Sequence, residues 1–159
     1  SALSSLAAAV SAIATGASSP ETLQVRDLLT TSLYEQGKTD AAAANARAAF
    51  DDALSALGTD SPQTARLEGS WVMTLAATND RTTLFPAIQS ALERSRRALG
   101  ENDPWRLSLL HNAGVILSTP GSDRIEEGIA MLREAIARRT VVFGAEHNAT
   151  LLSRMILAN

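Results

Sequence analysis

The chain contains no cysteine, which excludes disulfide staples, zinc–thiolate sites and a cysteine nucleophile. Aromatic residues are also scarce, at 4% of 159 residues. The strands of sandwiches and barrels draw on aromatic and β-branched side chains, so the shortage argues against both. Basic charge is not in excess: Lys and Arg number 14 against 17 Asp and Glu, for a net charge of −3. That balance argues against nucleic acid or an anionic membrane as the main partner. No apolar run reaches the roughly 18 residues needed to span a bilayer, so this segment is expected not to insert in a membrane. Residues 1–15 lack the positive start of a signal peptide. What is abundant is the hydrophobic class, 45% of the chain, most of it Ala and Leu, the strongest helix formers. An all-α protein is expected, with a length that suits one domain or a short run of repeats.

The glycines and prolines that remain are placed at intervals. Gly16, Gly58, Gly100 and Gly144 are separated by 42, 42 and 44 residues. Pro20, Pro62 and Pro104 follow the first three by four residues, and Asn148 takes that place after the fourth. Gly ends a helix in a left-handed conformation without a Cβ penalty. Pro is tolerated at the first position of the next helix, and Ser19, Ser61 and Asp103 just before the prolines are natural N-caps. Each marker therefore reads as helix stop, short turn and helix start, with antiparallel neighbours on either side.

A weaker break divides each unit at EQGKTD (35–40), ATNDRTT (77–83) and STPGSD (118–123). The expected helices span 2–15, 20–36, 39–57, 62–78, 83–99, 104–118, 123–143 and 148–159, with Pro86 in an opening turn. Leu107, Leu110, Ala113, Gly114 and Leu117 form one apolar stripe, and Ile125, Ile129, Leu132, Ala135, Ile136 and Phe143 another. Ala42, Ala46 and Ala49 would let helix backbones approach closely.

Self-similarity at this period marks a stacked repeat array. LGENDPWRLSLLHNAGVILS (99–118) and REAIARRTVVFGAEHNATLL (133–152) resemble the tetratricopeptide repeat, in the 42-residue variety found in kinesin light chains and bacterial signalling proteins. The resemblance covers essentially the whole chain and implies a right-handed α-solenoid of antiparallel helix pairs. It divides the chain into a half repeat (1–15), three repeats (16–57, 58–99, 100–143) and a half repeat (144–159). The middle unit fits least well, with Trp71-Val72 where the family prefers Leu-Ala or Leu-Gly. Half repeats at both ends lead to the expectation that the segment is excised from a longer protein. A homodimer through the exposed terminal helices is the competing expectation, since Leu151, Leu152, Ile156 and Leu157 would otherwise lie uncovered.

No catalytic constellation stands out. His111 and His147 fall in different units without a third ligand at metal spacing, and a histidine on a helix surface is the plain reading of His111. Neither a G-x-S-x-G elbow nor a phosphate-binding glycine motif occurs. The expectation is no enzyme, no cofactor and no metal. The basic clusters Arg94/Arg96/Arg97 and Arg138/Arg139 lie in final helical turns, where cations complement the macrodipole.

What remains is recognition. By the resemblance, the first helix of each pair lines a concave groove that binds a peptide or partner domain. Its inward positions are Gln24, Asp27, Thr31 and Tyr34, then Arg66, Gly69, Met73 and Ala76, then Ser108, His111, Val115 and Ser118, with Asn112 as the recurrent helix-A Asn. A second expectation is a regulatory or sensory segment of a bacterial signalling protein, such as a Ser/Thr kinase or transcription regulator. The family and an Arg-heavy chain with Lys38 as its one lysine point that way. The expected location is cytoplasmic, or periplasmic if a parent protein carries a membrane anchor elsewhere.

Overall fold

The computed structural model describes residues 19–78 and 80–158; the helix expected at 2–15, with Gly16, lies outside them. Among the described residues there are seven helices and no strand. They are α1 (Pro20–Glu35), α2 (Thr39–Leu57), α3 (Pro62–Leu75), α4 (Arg81–Leu99), α5 (Pro104–Leu117), α6 (Ile125–Phe143) and α7 (Asn148–Ala158). The protein is all-α. No described helix is long and apolar enough to cross a membrane. The described residues form two compact units that divide within α4, between Ala91 and Leu92.

The periodic markers sit where their chemistry places them. Gly58 and Gly144 close α2 and α6 at φ of +82° and +98°, a region that side chains with a Cβ avoid. Pro20, Pro62 and Pro104 open α1, α3 and α5. The Ser19 hydroxyl accepts from the Thr22 amide at 3.2 Å, and the Asp103 carboxylate accepts from the Trp105 and Arg106 amides at 2.9 and 3.1 Å. Ser61 has the extended backbone of a cap, yet its side chain makes no capping hydrogen bond.

One helix starts earlier than its sequence signals indicate. The Asp80 carboxylate accepts from the Thr83 amide at 3.0 Å, so α4 begins at Arg81 and Pro86 falls inside it rather than in its opening turn. Pro86 and Thr82 are exposed, so the helical bond that proline cannot make to the Thr82 carbonyl is missing at an exposed stretch of the helix.

In the first unit α2 packs against both α1 and α3. Ala42, Ala46 and Ala49 are buried, and their small size brings the neighbouring backbones close. Phe50 stacks on Trp71 with ring centroids 5.9 Å apart and planes at 11°. The Arg47 guanidinium lies 4.4 Å from the Trp71 ring centroid and is held by Asp51 at 2.9 Å. The Trp71-Val72 pair, the least repeat-like stretch, thus fills the core with a stacked ring and a fully buried valine. A second layer of contacts here is polar. Arg26 is buried and pairs with Asp52 at 3.0 Å, and Asn45 donates to the Arg26 carbonyl and Thr30 hydroxyl, each at 2.8 Å.

In the second unit α6 packs against α5 and α7. Leu107, Leu110, Ala113 and Leu117 of α5 are buried against Leu132 and Ala135 of α6. Ile125, Ile129, Ile136 and Phe143 of the expected α6 stripe are half-buried. The two helices touch at glycine: a Cβ on Gly128 would lie 2.5 Å from the Ser118 amide nitrogen and 2.7 Å from the Gly114 carbonyl oxygen.

Candidate functional site

The N-terminal halves of α1 and α3 lie side by side and enclose a cleft of about 340 Å³. That volume is at the lower end of those that hold ligands. Its apolar floor is Leu23 and Leu67, both buried, with Pro62 beside them. Its polar rim comprises Gln24 and Asp27 from α1 and Gln63 and Arg66 from α3. Three of the groove positions expected from the sequence, Gln24, Asp27 and Arg66, therefore meet in one place.

The rim is part fixed, part free. The Ser70 hydroxyl donates to Asp27 Oδ1 at 2.7 Å, which orients the carboxylate and ties α3 to α1. Gln63 reaches back to the Pro20 carbonyl at 3.3 Å. Gln24 and Arg66 are exposed. Arg66 is an unpaired cation among the described residues, beside a half-buried carboxylate whose second oxygen remains open to a donor. A guanidinium offers a planar fork of donors for carboxylates and carbonyls, and a glutamine amide matches a peptide group in both directions.

The remaining first-unit positions lie farther along the helices. Thr31 and Tyr34 are exposed on α1, with the Thr31 hydroxyl turned to its own helix at the Asp27 carbonyl, 3.2 Å away. Met73 is half-buried on α3, Gly69 buried and Ala76 half-buried.

In the second unit, Asn112, Val115 and Ser118 are half-buried and Ser108 is exposed. His111 is 6% exposed. It is a packing residue between helices and not a surface histidine: its Nδ1 lies 3.0 Å from the Ser153 hydroxyl of α7. Burial, aided by the charge of Arg139, pulls its pKa below the ordinary 6.5. Arg139 was expected to act at a helix end, and its surroundings are different. It is 4% exposed and donates to the Ala149 carbonyl at 2.8 Å and to the Ser153 hydroxyl at 2.7 Å. Arg138 lies before the last turn of α6 and pairs with two carboxylates, Glu134 at 2.7 Å and Glu101 at 2.9 Å.

The same repeat position, eleven residues after a marker glycine, is Asp27 in one unit and His111 in the other. Both reach across to a serine of the next first helix. The buried Arg26, Arg106 and Arg139 escaped the sequence reading, although the signal was there. Arg26 falls on the stripe of Leu23 and Thr30, Arg106 on that of Leu110 and Ala113, and Arg139 on that of Leu132 and Ala135. All six of those stripe partners are buried. A charge on an apolar stripe is buried with it and needs internal partners. Arg106 finds them in the Glu101 carbonyl at 3.0 Å and Glu134 at 3.9 Å. Glu68, equally buried, takes the Ser90 hydroxyl at 2.5 Å.

Among the described residues no three His, Asp or Glu side chains are grouped to hold a metal ion. No protein-family model matches the chain, and no curated protein matches it.

Proposed function

We propose that this protein is a recognition module: its helix pairs are tetratricopeptide-like repeats of a right-handed α-solenoid, and the α1–α3 cleft binds an extended peptide segment without chemical change to it. The observation that carries this reading is the cleft itself, with an apolar floor and, on its rim, an arginine unpaired among the described residues, an amide and an oriented carboxylate. Leu23 and Leu67 receive an apolar side chain. Gln24 pairs with the peptide backbone, and Arg66 and Asp27 receive an acidic and a basic group. The repeat assignment is supported by the glycine–proline period and by the first-helix contacts made from equivalent positions, Asp27 and His111, in two of the three repeats.

The test is to select peptides from a displayed random library on the whole chain and to measure their affinity for variants. Arg66→Ala removes a side chain with no partner among the described residues, so the fold should persist by circular dichroism. A charge-assisted hydrogen bond contributes about 1.5–3 kcal/mol, so Arg66→Ala should weaken binding roughly 10- to 100-fold. Arg47→Ala, on α2 and away from the cleft lining, should leave it unchanged. Equal affinity in Arg66→Ala, Asp27→Ala and the parent would remove the cleft from the reading.

A further inference from the structure

Helix α7 is held to its unit in an unusual way for an amphipathic helix. Its buried residues are Thr150 and Ser153, whereas Leu151, Leu152 and Met155 are 41%, 45% and 56% exposed. Its fully buried contacts are therefore polar, with Ala149, Ile156 and Leu157 half-buried beside them. The Thr150 hydroxyl donates to the Gly144 carbonyl at 2.9 Å, Arg139 grips the Ala149 carbonyl and Ser153 hydroxyl, and Ser153 meets His111. Of the helices packed in this unit, α6 sets the Arg139 guanidinium toward the imidazole, and α7 offers only the Ser153 hydroxyl, its one charged residue, Arg154, being exposed. No carboxylate is hydrogen-bonded to His111 or to Arg139 among the described residues.

With His111 neutral and its proton on Nε2, the Ser153 hydroxyl accepts from Arg139 and has Nδ1 at 3.0 Å and the Ala149 carbonyl of its own helix at 3.2 Å as acceptors for its one proton. When Nδ1 takes a proton from solvent, two cations point donors at a single hydroxyl oxygen. The arrangement is buried and lacks a counter-charge, and in that setting like charges cost most. We propose that the His111–Ser153–Arg139 cluster is an acid-released latch: protonation of His111 undocks α7 from α5 and α6.

The sign follows from linkage. Undocked, His111 is exposed and titrates near 6.5; docked, burial and Arg139 hold its pKa lower. The undocked state binds more protons in that window, so docking weakens as pH falls below about 6.5, by up to tenfold per unit, and levels off below the docked pKa.

The experiment is amide hydrogen exchange on the whole chain between pH 7.5 and 5, read as protection factors. Protection over 148–158 should fall by at least tenfold while that of α2 and α3 holds. His111→Asn keeps an acceptor near the Nδ1 position and cannot titrate, so its α7 protection should not change with pH. If that variant does not fold, Arg139→Gln serves: it retains a donor for Ser153 without the charge, and should flatten the pH dependence. Protection of α7 that stays constant to pH 5, or that falls equally in α2 and α3, overturns the latch. The same pH dependence in the variants overturns it as well.

Discussion

Gly128 and Gly58 are both glycine for reasons a substitution can separate. At Gly128 the limit is contact: an added Cβ meets backbone atoms of the α5 C-terminus, the nearest at 2.5 Å, and backbone cannot step aside. Overpacking costs about 1–3 kcal/mol, so Gly128→Ala should lower unfolding stability toward the upper end of that range. Gly114→Ala meets Leu132 Cγ at 2.8 Å and the Gly128 carbonyl at 3.0 Å. Its backbone contacts are longer than those at Gly128, with the Leu132 amide nitrogen at 3.1 Å, so the loss there should be smaller. At Gly58 nothing lies within 4 Å, and only the φ of +82° opposes a side chain. Gly58→Ala should cost about 1–2 kcal/mol and leave the packing unchanged. Urea midpoints of the three variants check the ranking; a silent Gly128→Ala would deny the close approach of α5 and α6.

At the scale of the element, helix entry is decided by caps that look alike in sequence and differ in space. Asp103 satisfies two free amides of α5, whereas the Ser61 side chain satisfies none of α3. Loss of a working cap costs about 0.5–2 kcal/mol, so Asp103→Ala should destabilise by about 1 kcal/mol and Ser61→Ala by much less. Equal losses in chemical denaturation would contradict the assignment. The helices were largely legible because their punctuation is local chemistry: a glycine, a capping residue and a proline act within a few positions. The start of α4 was not, because Asp80 outcompeted the later signal by capping from a polar turn. The buried arginines were not legible, for the opposite reason. Their partners, Asp52 for Arg26 and Ser153 for Arg139, come from other helices, and for Arg139 a place near a helix end offers a sufficient local explanation that conceals a distant one.

At the scale of the whole molecule, the period in the sequence and the contacts between first helices express the same constraint. In the proposed repeat reading a helix pair cannot bury its apolar face alone, and in the first unit α1 and α3 are in contact. That contact also creates the cleft, because two first helices side by side leave a furrow between their exposed faces. The candidate site was legible to the extent that it follows from this repetition. Gln24, Asp27 and Arg66 were placed by repeat position, and they meet in the cleft. His111 holds the repeat position of Asp27, yet its size and its serine partner draw it into the α5–α7 contact. Asp27 and His111 differ in what the side chain needs once it arrives, and repeat position alone does not decide that. The central claim, recognition in the α1–α3 cleft, is tested most directly by an amide chemical-shift map of the whole chain titrated with a library-selected peptide. The account predicts shifts concentrated at residues 23–27 and 62–67, abolished together by Arg66→Ala. Shifts that leave those residues untouched while the peptide binds would contradict it.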